Sequence, residues 1–462
     1  MRGRGARSAT FVARACLAAL GASACGGEPA GEGAGSCRFE IEAALSEVIP
    51  TVGVVRWSAD LAGLSAARVE FTLNDAAPGM LNTGSGGPID VGGSTHRALL
   101  LGLKPESTYT YRLVAYAGTE RCVSEAHTLT TGAGTRDVPV LRTAVDPSRQ
   151  ARGFIVTSSG YGQVDTKKAF VIDADGDIVW WADAPPQCSR ALQDFSGNAL
   201  WMLDVAPAPT DRGLVSSVGM DGTDPVAGVP GFDRAHHDLV ALPDGVIATL
   251  EWHEALDGPF SGSSDLVERS PGGGVRTVLR IDDSVFPASA GRLHANAVRY
   301  RAADDTYTVS DLYASAIIAL TRQGELLWQV GGDCSSSAAP KCAPLDIDGN
   351  HGHEVLADGN LLLFADHTST AYEYALTETE TSLAASLVWS YAADGESSDQ
   401  LGDVQRLPNG NTLVDFSTSG DIFEVSAAGD VVQSLHAGTG PAATEASFGY
   451  AHFRETLYGP PR

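Results

Sequence analysis

Short apolar runs alternate with turn-forming residues along most of the 462-residue chain. The runs are rich in β-branched and aromatic residues and are separated by Gly, Asp, Asn and Pro, whereas the periodicity of an amphipathic helix is hard to find. Runs of this kind are typical of β-strands joined by tight turns. The pattern therefore predicts an all-β protein.

Residues 37–131 contain about seven of these runs and form the first predicted unit. Within them, the segment 103–113 resembles the corner of fibronectin type III domains. We therefore expect an N-terminal β-sandwich of that type, serving as a structural spacer or a stabilising unit. The composition of residues 132–150 changes and predicts a linker.

From residue 151 to residue 440, two short units alternate at a spacing of roughly 50 residues. One is a hairpin turn of the form apolar-x-Asp/Asn-Gly before an apolar strand, and the other is a glycine turn before a strand that often ends in Trp. The hairpin unit lies at 242–247, 356–361 and 407–412. About six repeats predict a six-bladed β-propeller with one four-stranded blade per repeat, and residues 441–462 remain as a C-terminal tail.

The N-terminus has the features of an export signal. Four arginines and no acidic residue precede a short apolar run within residues 1–24, which predicts a signal peptide and not a membrane span. The residues before Cys25 resemble the lipobox of bacterial lipoproteins, which implies a lipid on Cys25 and a flexible tether over residues 25–36. We expect a periplasmic or cell-surface lipoprotein held to a membrane by this lipid anchor; simple secretion is the alternative.

The chain is strongly acidic, with 57 acidic and 31 basic residues and a formal charge of −26. Four of the arginines lie in the predicted signal peptide, so the exported part is more acidic still. This charge argues against nucleic acid or an anionic membrane surface as a partner. An anionic substrate would need a local positive pocket.

Export also permits disulfide bonds. Cys37 and Cys122 bracket the predicted sandwich, and Cys334 and Cys342 lie in one loop, which leaves Cys188 over. We predict these two pairs, although connectivity does not follow from sequence alone.

Histidines occupy the same place in three of the repeats. His237 and His351 each lie eight residues before the hairpin glycine, and His294 has the matching place in a repeat with a longer turn. Ser189 and Gly402 hold this position in two other repeats. Equivalent positions in successive blades converge on the propeller axis, so we expect the three histidines to meet at one end of the channel.

The period of two along a strand predicts the neighbours of these histidines. Arg292 and Asn296 fall on the same side of their strand as His294, and His353 falls on the same side as His351. We therefore predict that Arg292, Asn296 and His353 bind substrate.

The motifs at 236–238 and 294–296, together with the segment 350–364, resemble the bacterial arylsulfate sulfotransferases. The resemblance covers nearly all of residues 151–440 through short motifs. These are exported enzymes with a small N-terminal β-domain and a six-bladed propeller. The resemblance implies transfer of a sulfuryl group between small phenolic substrates, from an aryl sulfate to a phenol, without a nucleotide donor or another cofactor. It implies His351 as the nucleophile that becomes sulfated, with His294, His237 and His236 as further catalytic residues.

The sequence departs from this family at one position. The family has a Ser-x-Arg pattern whose arginine grips the sulfate, and here Ser310 is followed by Asp311 and Leu312. A group that spreads charge over three oxygens is usually held by a cation. Arg292 is our candidate replacement.

Two other interpretations remain open. His351, His353, Asp366, His367 and His237 offer enough ligands for zinc or a transition metal, although no HExxH or paired CxxC spacing occurs, and our main interpretation includes no metal. The second interpretation is a non-catalytic propeller that binds a ligand or a partner.

Two Asp-rich turns, at 173–177 and 346–350, suggest calcium loops. Both place glycine earlier than the twelve-residue calcium loop requires, so we expect ordinary hairpin turns.

Overall fold

The computed structural model describes residues 37–74, 83–85, 91, 94–138, 140–159, 167–206, 208–256, 260–289, 291–438 and 447–460. The predicted signal peptide, Cys25 and the tether lie outside these ranges. The described chain is all-β, as predicted, with two short 3₁₀ helices at Pro287–Ser289 and Ser417–Ser419. No helix in these ranges is long and apolar enough to cross a membrane.

The N-terminal unit packs two antiparallel sheets against each other. Its strands are β1 (Phe39–Leu45), β2 (Gly53–Ala59), β3 (Ala66–Leu73), β4 (Thr83–Ser85), β5 (His96–Leu100), β6 (Thr108–Ala117), β7 (Glu120–Val123) and β8 (His127–Thr130). One sheet has the order β1-β2-β5 and the other β4-β3-β6-β7, with β8 also pairing β6. Alternate residues such as Val55, Val69 and Leu113 fill the space between the sheets, as period-two patterning requires.

The rest of the described chain forms six more sheets. In chain order their strands are β9 (Val140–Val145), β10 (Phe154–Ser158), β11 (Lys168–Asp173), β12 (Ile178–Asp183), β13 (Cys188–Gln193), β14 (Ala199–Asp204), β15 (Leu214–Gly219), β16 (Ala235–Ala241), β17 (Ile247–Ala255), β18 (Gly262–Arg269), β19 (Val275–Ile281), β20 (Ala295–Arg301), β21 (Thr306–Asp311), β22 (Ala316–Thr321), β23 (Leu326–Gly331), β24 (Cys342–Ala343), β25 (Asn350–Val355), β26 (Leu361–Ala365), β27 (Thr370–Glu378), β28 (Leu383–Tyr391), β29 (Asp403–Arg406), β30 (Thr412–Phe416), β31 (Asp421–Val425), β32 (Val431–Ala437) and β33 (His452–Arg454).

We number these sheets by their strand order. Sheet 1 is β33-β10-β11-β12, sheet 2 is β13-β14-β15, sheet 3 is β16-β17-β18-β19, sheet 4 is β20-β21-β22-β23-β24, sheet 5 is β25-β26-β27-β28 and sheet 6 is β29-β30-β31-β32-β9. Neighbouring strands in these sheets pair antiparallel, apart from the parallel pair β23-β24. The hairpins turn at the predicted glycines, such as Gly245 and Gly359, whose positive φ angles suit such turns.

Both ends of this region complete sheets. β9, from the segment predicted as a linker, pairs with β32 in sheet 6. β33, from the segment predicted as a tail, pairs with β10 in sheet 1. Short strands without a repeat partner in sequence gave no hairpin signal, which explains why sequence reasoning missed them. Their pairing covers two strand edges that would otherwise be open.

The first strands of consecutive sheets contact one another. This holds for β13 and β16, β16 and β20, β20 and β25, and β25 and β29. Sheets 6 and 1 are joined through Gln405, whose side chain donates to the Phe453 carbonyl at 3.3 Å and accepts from the Phe453 amide at 2.7 Å. These contacts therefore link the first strands in the order of sheets 2, 3, 4, 5, 6 and 1.

Both predicted disulfides are confirmed, since Cys37 is bonded to Cys122 and Cys334 to Cys342. Cys188 is free and buried, and burial raises the pKa of its thiol to about 12. The disulfides fit an oxidising, exported environment.

A buried lysine fixes the N-terminal unit to sheet 1. Lys104 lies after β5, and its ammonium nitrogen contacts Asp173, lies 3.0 Å from Asp175 and lies 2.6 Å from Asp177. The Asp-rich turn that suggests a calcium loop is thus occupied by a cation from the protein itself. Burial raises the pKa of the Asp173 carboxyl, so the ammonium compensates a charge that water does not reach.

Replacing Lys104 by Met should lower the free energy of unfolding by about 3 kcal/mol, because it leaves the buried Asp173 carboxylate without a counter-charge. The matched control is Lys341→Met, which removes a lysine paired with the half-exposed Glu378 and should cost less than about 1 kcal/mol. Urea denaturation of both variants measures the difference. Equal losses would contradict the assigned role of Lys104.

Candidate functional site

The three histidines at the shared repeat position lie together at one end of the first strands. His237 is in β16, His351 is in β25 and His294 directly precedes β20. The Nε2 atoms of His237 and His294 are 2.9 Å apart. His351 is close enough that its charge contributes to lowering the pKa of both other imidazoles. The repeat register thus located side chains that meet across three sheets.

β-Bulges at the start of these strands aim the histidines. The pairing register shifts between His236 and Leu239, between Ala295 and Ala297, and between Asn350 and His353. A bulge adds a residue on one strand and redirects the side chains beside it. His237 itself has a φ of 60°, in the left-handed region that is rare for a residue other than glycine.

The bulges overturn two predictions that relied on strict alternation. His353 is fully buried: its Nε2 is 2.9 Å from the Thr308 hydroxyl, and its Nδ1 is 3.3 Å from the backbone carbonyl of His351. Asn296 is also fully buried, and its amide donates to the Asn350 carbonyl at 2.7 Å. Both residues hold strands in place and are not positioned to bind substrate.

His236, His237 and His294 form one chain of hydrogen bonds. His294 Nδ1 is 2.5 Å from the Phe260 carbonyl, which only accepts, so Nδ1 of His294 must carry the proton. Neutral His294 then accepts at Nε2 from His237, and neutral His237 accepts at Nδ1 from His236 at 2.7 Å. His236 Nε2 completes the chain by accepting from the Ser264 hydroxyl at 3.1 Å. One carbonyl therefore fixes the tautomer of all three rings.

The imidazoles of this chain are uncharged at neutral pH. Burial, followed by the charge of neighbouring histidines, lowers the pKa of His236 and His237 well below the ordinary value. Burial lowers the pKa of His294 to about 4. His236 is further confined by stacking on Trp252, with ring centroids 3.9 Å apart. Neutral imidazoles at close range are nucleophiles and proton acceptors.

His351 has a different partner from the other two. Its Nδ1 lies 2.9 Å from a carboxylate oxygen of Asp366, although the two are not aligned as a hydrogen bond. No residue in the described ranges hydrogen-bonds to its Nε2, and the side chain keeps a 6% exposed fraction. This contact directs Nδ1 of His351 toward the Asp366 carboxylate and leaves Nε2 accessible to a substrate.

Aromatic residues and one cation border the histidine end. Tyr313 meets the His294 ring edge-on at 5.4 Å, and the exposed Arg292 lies over the Tyr313 ring at 4.7 Å. Phe260 is also exposed, by 51%. Leu312 donates its backbone N–H to the His294 carbonyl at 2.9 Å. The nearby cation therefore comes from the loop before β20 and not from position 312.

Below the histidines lies a buried ionic cluster that the sequence reasoning missed. Arg190 donates to Asp238 at 2.7 Å and to Asp403 at 3.1 Å, and Arg299 donates to both carboxylates. Burial acts to raise the pKa of the Asp238 carboxyl, but the two guanidinium groups outweigh this effect and hold that pKa below its ordinary value. The Tyr450 ring packs against Arg190 at 4.4 Å. We call Arg190, Asp238, Arg299 and Asp403 the central ionic cluster.

The signal for this cluster was present in the repeats. Arg190, Asp238 and Asp403 each directly follow the repeat position at which His237 lies. Comparing the repeats at the position after the histidine would have predicted that one arginine and two aspartates lie close together. Arg299 lies further along β20 and carries no such signal.

In the described part of the chain, no group of three or more His, Cys, Asp or Glu residues is placed to hold a metal ion. Of the residues in the metal alternative, His351 lies 2.9 Å from Asp366, but His353 bonds to Thr308, and His367 bonds to Asp348 at 2.7 Å.

No protein-family model and no curated protein matches the sequence. Among solved structures, a protein from Lactobacillus plantarum has a TM-score of 0.37 and 13% identity, covering 61% of this chain and 81% of that chain. A DUF4784 family protein from Bacteroides caccae has a TM-score of 0.35 and 12% identity, covering 86% and 95%. A luciferin-regenerating enzyme has a TM-score of 0.33 and 11% identity, covering 66% and 97%. Similarity at this level carries no argument about function.

The buried state of His353 predicts a pH effect on stability. Burial, followed by the charge of Arg299, lowers its pKa to about 3, against about 6.5 in an unfolded chain. Between these values the unfolded state binds the additional proton, so stability rises with pH and falls on acidification. Between pH 7 and pH 5 the parent protein should lose about 2 kcal/mol more unfolding free energy than His353→Gln.

Urea denaturation at both pH values measures this difference. Other titrating groups, such as Asp311 with a pKa raised by burial to about 6, are present in both proteins and cancel. Parallel curves for His353→Gln and the parent would refute the assignment.

Proposed function

We propose that residues 140–460 form a six-bladed β-propeller preceded by a fibronectin type III-like sandwich, and that the protein is an exported sulfotransferase of the arylsulfate type. In this proposal a sulfuryl group passes from an aryl sulfate to a phenol through His351. The order of contacts between the first strands of sheets 1 to 6 supports the propeller. The lipid anchor at Cys25 belongs to the proposal as well.

The observation that carries the proposal is the meeting of His237, His294 and His351 at one end of the strands, with His351 Nε2 unpartnered among the described residues. Covalent catalysis needs a nucleophile with a free lone pair and a second group that handles the proton. His351, oriented by Asp366, supplies the first. His294, with the hydrogen-bonded histidines behind it, supplies the second.

In the first half-reaction, the lone pair of His351 Nε2 attacks the sulfur of the aryl sulfate. The sulfur–oxygen bond to the aryl group breaks, and its electron pair leaves with the phenolate oxygen. The phenolate, a fair leaving group because phenols have a pKa near ~10, takes a proton from His294 Nε2, which has first bound that proton from solvent in place of its hydrogen bond to His237. The sulfated imidazole gains positive charge, which the Asp366 carboxylate stabilises across the 2.9 Å contact.

In the second half-reaction, the acceptor phenol gives its proton to His294 and attacks the same sulfur. The sulfur–nitrogen bond breaks and its electrons return to His351. His294 then returns this proton to solvent, so one proton is taken from solvent and one is given back, and the neutral imidazoles are restored. The hydrogen bond between His237 and His294 Nε2 forms again at the end of the cycle.

The border of the histidine end suits an aryl sulfate. Tyr313 and Phe260 offer exposed aromatic surface for the aryl ring, and Arg292 offers a guanidinium group for the sulfate oxygens. This is the local positive charge that an acidic protein needs for an anionic substrate.

His351→Ala should abolish acceptor-dependent release of phenol from a chromogenic aryl sulfate, by more than about 10³-fold in kcat, because no other group forms the covalent intermediate. His253→Ala, a histidine on β17 outside the site, should keep the parent rate. Transfer should persist with a chelator. Full activity of His351→Ala, or loss of parent activity in chelator, would contradict the proposed chemistry.

Arg292→Ala should raise KM for the aryl sulfate about tenfold, which corresponds to one lost charge-assisted contact, and should change kcat little. The matched control is Arg212→Ala, whose side chain is 80% exposed beside Asp233 and should leave KM unaltered. Steady-state kinetics at fixed acceptor concentration give both constants. An unchanged KM for Arg292→Ala would exclude Arg292 as the sulfate ligand.

A further inference from the structure

A cavity of about 370 Å³ lies at the end of the first strands away from the histidines. The strands that begin at the histidines end in its wall, for example β16 at Ala241 and β25 at Val355. Residues from all six sheets contribute to the lining, and the central ionic cluster lies between the cavity and the histidines. A volume of this size is within the range of ordinary ligand pockets.

The wall is mainly apolar. Its apolar lining includes Leu192, Leu239, Val404, Leu327 and Trp328. Three arginines line the cavity. Arg190 and Arg299 are paired with Asp238 and Asp403, and Arg301 is paired with Asp304. Because each guanidinium group already has a carboxylate partner, the cavity offers no unpaired cation to an anionic ligand.

Two buried polar atoms in the lining have no partner among the described residues. Gln193 is 2% exposed, and its amide nitrogen donates to the carbonyls of Gly197 and Leu457, which fixes Oε1 as the free acceptor. His452 Nδ1 is the second unpartnered atom. Burial lowers the pKa of His452 well below its ordinary value, so its ring is uncharged. A buried polar atom without a hydrogen-bond partner destabilises the fold, so such atoms are expected where a ligand or a water molecule supplies the missing hydrogen bond.

We propose that this cavity binds an uncharged, largely aromatic or alicyclic small molecule that carries an N–H or O–H donor for Gln193 Oε1. The site is separate from the histidine end and does not depend on the proposed transfer reaction. Apolar walls supply the affinity, and the two unpartnered atoms orient the ligand.

Indole and benzofuran are suitable probes because they share a bicyclic shape, and indole has a ring N–H where benzofuran has an oxygen that only accepts. Titration calorimetry with the full mature protein should show saturable binding of indole. Benzofuran should bind about tenfold more weakly, since it leaves the Gln193 acceptor unsatisfied. Absence of saturable indole binding, or equal affinity for the two probes, would overturn the proposal.

The variants Ala241→Phe and Val355→Phe test whether indole binds in this cavity. Each adds bulk at a partly exposed wall residue and should weaken indole binding at least tenfold. Ala428→Phe makes the same kind of change in an exposed turn and should bind indole as the parent does. His351→Ala should also bind indole normally.

Circular dichroism and thermal unfolding verify that each variant is folded, and either wall variant suffices for the test. Parent-like binding by a folded wall variant would overturn the assignment. Loss of binding in His351→Ala would also overturn it, by placing indole at the histidine end.

Discussion

Placing two arginines and two carboxylates in the interior is the constraint on which the rest of the structure depends. Arg190, Asp238, Arg299 and Asp403 come from sheets 2, 3, 4 and 6, and each charge is balanced only when these first strands meet. A buried charge that loses its partner is strongly unfavourable. The cluster therefore favours one mutual arrangement of the sheets over others in which apolar strands merely collapse together.

The central ionic cluster also divides the interior into two ends with different chemistry. On one side the bulged starts of β16 and β25 present the imidazoles of His237 and His351 beside exposed aromatic residues. On the other side the same strands end around an apolar cavity. His236, His237 and His294 lie close together without mutual repulsion because burial lowers their pKa values and keeps these imidazoles neutral.

Much of this could be predicted from the sequence because it is encoded locally. Turn residues such as Gly245 and Gly359 mark the strand boundaries. Because His237 and His351 lie at equal distances before these glycines, the sequence predicted that both side chains lie at the same end of the sheets. The neighbours were mispredicted because a bulge breaks the alternation that placed His353 beside His351. The strands β9 and β33 pair with partners far away in the chain, so no local pattern marks them. Lys104 gave no signal either, because its three carboxylate partners belong to another unit of the fold.

The central functional claim is that His351 becomes covalently sulfated, and the intermediate itself is the most direct test. The mature protein would be incubated with an aryl sulfate in the absence of acceptor, quenched, digested and examined by mass spectrometry. The account predicts one added SO₃ group, located on His351 and removed when a phenol is supplied before quenching. A modification on another residue, or an unmodified His351 in protein that has released the phenol of its donor, would contradict it.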